Sequence, residues 1–133
     1  ADLLTSGFFQ RVLHRFLDNG HFSDHRRHLG EHYRQLFQEA LRCVEQFWAG
    51  TGLEILPPSG GTSLWVRLPA DVPPAAFFRA CLQAGIGIAP GERFSPDGST
   101  DHAFCLAYGH LPTNRVAPLF ERIAEIRTEI EGA

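Results

Sequence analysis

The chain has 133 residues, about one average domain. It is 44% hydrophobic and 11% aromatic, enough to bury a core, and its 20% of charged residues exclude a disordered tail. A net charge of -3 argues against a broad nucleic-acid-binding surface, and the twelve basic residues are all arginine, so a reaction running through a lysine Schiff base is excluded for this chain alone.

Leu4, Phe8, Phe9, Val12, Leu13, Phe16 and Leu17 form an apolar stripe at helical spacing, closed by Asp18-Asn19-Gly20. A second, longer helix is predicted from Ser23 or Asp24 to about Ala49, on Leu29, Tyr33, Leu36, Phe37, Ala40, Leu41, Val44, Phe47 and Trp48. Gly30 inside it costs about 1 kcal/mol relative to alanine. Leu53–Leu56 reads as a short strand before Pro57-Pro58. Leu64, Val66 and Leu68 alternate with Trp65 and Arg67 in a period-two strand that ends at Pro69. Pro73-Pro74 open a third helix, with Phe77, Phe78, Cys81 and Leu82 on its apolar side and Gly85 at its end. A very short strand follows over Ile86–Ala89, then a polar loop from Pro90 to Asp101, then a strand over Phe104–Tyr108. The last helix is expected over Thr113–Glu129, with Pro118 in or just before its first turns.

The order helix, helix, strand, strand, helix, strand, strand, helix implies a two-layer α+β fold. Its sheet is small and mostly antiparallel, with helices on one face. Residues 1–20 form a lead-in helix, and residues 21–133 form the domain. The lead-in stripe Leu4, Phe8, Val12 and Phe16 is expected to be shaped partly for a partner, with self-association as the consequence.

Cys43, Cys81 and Cys105 are odd in number, far apart and without a CxxC pair, which indicates neither a zinc site nor a disulfide framework. Reduced thiols fit the cytoplasm. No apolar run approaches the roughly 20 residues of a membrane span, and no signal peptide is visible. Methionine is absent, so the chain is expected to be processed or part of a longer protein.

His21, His25, His28 and His32 step by four, three and four, a spacing that can hold a metal. His21 is expected to precede the helix, and with Arg26, Arg27 and Arg34 nearby the group reads as a basic, solvated or partner-facing surface; no metal site is assigned. Cys105 lies on an apolar strand, and His102 and His110 stand at odd offsets from it. It therefore reads as a buried small apolar residue rather than a nucleophile. Gly60-Gly61 and Gly85-x-Gly87 read as a hairpin turn and a helix stop, not as phosphate loops. No catalytic residue is assigned.

Several segments resemble one family in the same order. Pro58-Ser59-Gly60-Gly61-Thr62-Ser63-Leu64-Trp65-Val66-Arg67-Leu68-Pro69 is similar to the P-x-GG-x-x-x-W-x-x-L-P hairpin of class I/II aminotransferases. Ala84-Gly85-Ile86-Gly87-Ile88-Ala89-Pro90-Gly91, with Phe94, resembles their A-x-G-V-x-V-x-P-G-x-x-F strand and loop. Phe104-Cys105-Leu106-Ala107-Tyr108 lies where an R-L-S-F strand is usual. The resemblance implies the small C-terminal domain of a fold type I pyridoxal-phosphate (PLP) enzyme, a fragment of a larger protein.

Phe16-Leu17-Asp18-Asn19-Gly20-His21-Phe22-Ser23-Asp24-His25-Arg26-Arg27 further resembles a stretch of the MocR subfamily of bacterial GntR-type transcriptional regulators. That resemblance implies a parent with an N-terminal winged-helix DNA-binding domain and a large PLP domain, a homodimer that senses an effector. PLP would belong to the parent and not to this segment alone. Gly60, Gly61, Thr62, Pro90, Gly91 and Cys105 are implied to line the inter-domain cleft. Cys105 stands where the family has an arginine that grips the substrate α-carboxylate, and a thiol cannot make that bidentate, charge-assisted pair. This favours a regulator with no catalysis by this chain; the alternative is the small domain of a working class I/II aminotransferase.

Overall fold

The computed structural model describes residues 6–95 and 99–131. Leu4 lies outside them. The stripe of the first segment forms helix α1 (Gly7–Asp18), and the second helix, α2, runs over His21–Phe47. Helix α2 starts before Ser23, so His21 belongs to it, correcting the expectation that His21 precedes the helix. The Gly20 carbonyl accepts the Asp24 N–H at 3.1 Å, which extends the first turn backwards. The chain divides into two compact units, Ala1–His32 and Tyr33–Ala133.

In the first unit Phe8, Phe9, Val12, Leu13 and Leu17 of α1 are exposed, and Phe16 is half-buried. Phe16 gathers the rings of His21, Phe22 and His25, each with its centroid at 6.3 Å.

The second unit holds a four-stranded antiparallel sheet in the order β1-β2-β4-β3. Its strands are β1 (Glu54–Ile55), β2 (Ser63–Arg67), β3 (Ala89–Pro90) and β4 (Ala103–Ala107). The predicted strand at Ile86–Ala89 falls later because Ile86 N–H returns to the Cys81 carbonyl at 2.8 Å, closing the preceding helix instead of joining the sheet. The loop after Pro90 is partly ordered as a 3-10 turn, Gly91–Phe94, and its residues 96–98 lie outside the described residues.

Period-two alternation sends Leu64, Val66, Phe104 and Leu106 to one face, where all four are buried. Against that face pack the buried residues of α2 (Leu36, Ala40, Cys43), of α3 (Pro74–Gln83; Phe77, Cys81) and of α4 (Val116–Glu131; Phe120, Ile123, Ile126). Helices thus cover one face of the sheet, as expected of a two-layer α+β fold. Pro74 sits in the first turn of α3, and Pro118 is the third residue of α4, where a missing N–H leaves no helical bond unmade. Thr113–Arg115 form a 3-10 turn rather than the start of α4.

Two polar ties lock the layers. The Trp48 indole stacks on Phe120 with centroids 4.9 Å apart and donates its N–H to the Phe120 carbonyl at 2.9 Å. Arg127, buried on α4, pairs with Asp71 at 3.3 Å and with Glu131. No described helix is long and apolar enough to cross a membrane.

Candidate functional site

The helix-free face of the sheet carries the side chains of Ser63, Trp65 and Arg67 on β2 and of Cys105 and Ala107 on β4. The register places Trp65, Cys105 and Ala89 in one row across three strands. Phe94, from the 3-10 turn, meets the Trp65 ring edge-on at 5.2 Å. Cys105 is therefore half-buried on the open face, which corrects its reading as a core residue: Phe104 and Leu106, its neighbours, take the core positions.

The six residues assigned to the cleft occupy three stations around this face. Gly60, Gly61 and Thr62 lead into β2, with Gly60 and Gly61 at φ +148° and +111°, values that suit residues without a Cβ. This hairpin is fastened to the far end of β4. The Thr62 carbonyl accepts the N–H groups of Tyr108 and Gly109, each at 3.0 Å, and the Gly61 carbonyl accepts the Tyr108 hydroxyl at 2.8 Å. Pro90 and Gly91 sit at the other end, where Pro90 pairs with Phe104. The Thr100 hydroxyl donates to the Gly91 carbonyl at 2.7 Å and fixes that turn. Cys105 lies between the two ends. Ser63 pairs with Ala107 and Pro90 with Phe104, so the stations are spread over about 10 Å of strand, three residues of β4.

Thr62 also lines a cavity of about 310 Å³ with Tyr33, Ala107, Gly109 and His110. The sequence pattern assigns Tyr108 no holding role, and it does not bring Trp65 and Phe94 together on the open face. The alternation of β2 already puts Trp65 opposite Leu64 and Val66; the Tyr108 contact joins residues 47 apart and has no local signal.

Neither His102 nor His110 hydrogen-bonds Cys105; among the described residues the thiol that meets a carboxylate is Cys43, with Glu39 at 3.7 Å. His102 lines a cavity with Glu54 and Arg67, whereas His110 lines others with Arg115 and with Thr62. Burial pushes the Cys81 thiol up to about 12, only partly countered by the Arg122 charge. Burial, then the neighbouring Glu39 carboxylate, pushes Cys43 up to about 11. Both stay protonated and inert near neutrality. Among the described residues no group of three or more histidine, cysteine or acidic side chains could hold a metal ion.

No protein-family model matches the chain. A curated relative, aromatic-amino-acid aminotransferase 1 of Thermococcus litoralis, is 23% identical over 125 residues, which are 94% of this chain and 30% of the relative. Two solved structures superpose along nearly the whole chain. One is LysN, the α-aminoadipate aminotransferase of Thermus thermophilus, with TM-score 0.85, 24% identity and coverage of 98% of this chain and 33% of LysN. The other is the kynurenine aminotransferase of Pyrococcus horikoshii, with TM-score 0.84, 25% identity and coverage of 96% and 31%. The chain spans about a third of the length of these proteins.

PLP is the cofactor this fold implies. The residues present do not fit it by themselves. The chain has no lysine to bond the cofactor's aldehyde, and Arg67, the arginine on the open face of β2, is already paired with Glu54 at 3.7 Å. The sheet order, the helical layer and the superpositions together give this chain the small-domain fold of the class I/II PLP-dependent aminotransferases.

Proposed function

We propose that this chain is the small domain of a PLP-dependent aminotransferase and supplies one wall of its substrate cleft. The observation that carries the reading is the superposition on LysN over 98% of the chain at TM-score 0.85. In this reading residues 21–133 form the small domain and residues 1–20 lead into it. Gly60, Gly61, Thr62, Pro90, Gly91 and Cys105 line the cleft. The cofactor, its lysine and the catalytic groups belong to a larger domain of the same protein, which acts as a homodimer in the cytoplasm. This chain binds and orients; it carries out no bond-making step.

The test is to express the longer coding sequence that contains this segment. The purified protein is expected to carry PLP, seen by its visible absorbance, and to transfer amino groups from an amino-acid panel to a 2-oxo acid. Absence of PLP from a folded, longer protein would overturn the reading.

A second reading is favoured by Cys105. If the longer protein is a MocR-type regulator, the missing arginine marks a site that senses an effector instead of turning over an amino acid. The stretch Phe16–Arg27 supports the same reading. A winged helix upstream, with operator-length DNA bound in a gel-shift assay, decides for the regulator. In either case Cys105→Arg in the longer protein is expected to raise affinity for α-amino carboxylates, because a guanidinium makes the bidentate pair that a thiol cannot.

A further inference from the structure

A groove of about 490 Å³ lies in the second unit, at the Ala107 end of β4, between residues 84–87 and the turn that enters α4. Its volume is that of a small-molecule site. The walls are apolar: Ile86, Leu111, Pro118 and Leu119, with Gly87 leaving one side open. Only three lining residues have polar side chains, and all three are basic: His110, Arg115 and Arg122.

The two arginines differ in what they have left to give. Arg122 donates to Glu125 and Glu129, both at 2.8 Å, so its charge is already answered. Arg115 has no carboxylate partner among the described residues, and no acidic side chain lines the groove. An apolar trough with one uncompensated guanidinium complements a molecule with an apolar body and a single negative head. A guanidinium matches a carboxylate in shape as well as charge. We propose that this groove binds a medium-chain monocarboxylate, its apolar body between Ile86 and Leu119 and its carboxylate on Arg115. The inference stands apart from the aminotransferase reading, since no cleft residue lines the groove.

The test is a titration of the ¹⁵N-labelled 133-residue chain with octanoate, followed by amide NMR. Octanol removes the charge and acetate removes the apolar body. Saturable shifts are expected with octanoate around residues 84–87 and 106–112, weaker ones with octanol and none with acetate. Arg115→Gln, an exposed change, should weaken octanoate about fivefold, the scale of one partly solvated ion pair. Gly87→Leu should abolish binding: a Cβ there meets nothing within 4 Å, so the leucine can fill the groove without strain on the backbone. The proposal is overturned if octanoate gives no saturable shifts. It is equally overturned if Arg115→Gln leaves its affinity unchanged, or if the shifts fall instead on the exposed apolar residues of α1.

Discussion

Phe8 and Phe9 are 71% and 70% exposed in the first unit, while Phe77, Phe104 and Phe120 are fully buried in the second. Both units set aromatic and aliphatic residues at regular spacing, and both form helices from them. In the second unit the apolar faces of α3, α4 and the later turns of α2 meet a sheet whose own alternate residues answer them. In the first unit the apolar stripe of α1 meets no such layer, and none of its described residues is buried. Amphipathic spacing therefore dictates that a helix forms, but not that it is covered; coverage needs a second element of matching period.

The largest effect should separate the units most clearly. Phe120→Ala removes a fully buried ring that also stacks on Trp48, and is expected to cost about 3–5 kcal/mol in urea unfolding. Phe8→Ala should change stability by less than about 0.5 kcal/mol, as for other exposed side chains. Comparable losses in the two variants would break the contrast.

Close backbone approaches in the second unit come next. A Cβ on Gly91 would strike the carbonyl oxygen of Thr100, and one on Gly109 would strike the Thr62 side chain. Gly91→Ala is expected to lower stability by about 1–3 kcal/mol, the usual cost of overpacking. A loss of similar size from Gly7→Ala, where a Cβ meets nothing within 4 Å, would show that the contrast is not one of packing.

The buried thiols give a smaller, pH-dependent effect. Cys43 and Cys81 ionise near 11 and 12 in the fold against an ordinary value of 9.0. Below pH 9 both states keep their protons, and the stabilisation is fully present. Above it the unfolded chain releases protons first, so stability falls as pH rises from 9 towards 11–12. The slope is at most about 1.4 kcal/mol per pH unit for each thiol. A Cys43→Ala, Cys81→Ala double variant should flatten this slope in urea titrations between pH 8.5 and 10.5. An unchanged slope would mean that these thiols are less enclosed than their place in the core implies.

What is legible in the sequence follows the range of the forces involved. The alternation Leu64, Val66 against Trp65, Arg67 is enough to define β2 and its inward face, and Pro73-Pro74 mark the start of α3, because both signals lie within a few residues. The strand expected at Ile86 begins about three residues later because a backbone bond from Ile86 to Cys81 competes with sheet pairing, and no side-chain pattern records that bond. Cys105 reads inward in the sequence because an apolar five-residue strand looks alike from both faces; only its register with Trp65 and Ala89 shows which way it turns. The six residues that the family resemblance implies for a cleft are set around the open face by the register of β2, β3 and β4, and the groove beside Arg115, which joins residues 84–87 to residues 106–122, has no linear signature.

The smallest expected effect on stability bears on what covers α1. Phe8, Phe9, Val12, Leu13 and Leu17 are all exposed on a twelve-residue helix. Apolar patches of that kind drive association, since each side chain taken out of water contributes about 1.5–3 kcal/mol when fully buried. Phe8→Ser with Leu13→Ser should leave the urea midpoint nearly unchanged, because neither residue is buried in the folded chain. The same double variant should shift the sedimentation behaviour towards the monomer at concentrations where the unsubstituted chain self-associates. If the midpoint falls by as much as in Phe120→Ala, the stripe already contributes to the fold of its own chain. If association persists undiminished, the surface that drives it lies in the second unit, where Leu82, 73% exposed on α3, is the next apolar side chain to replace.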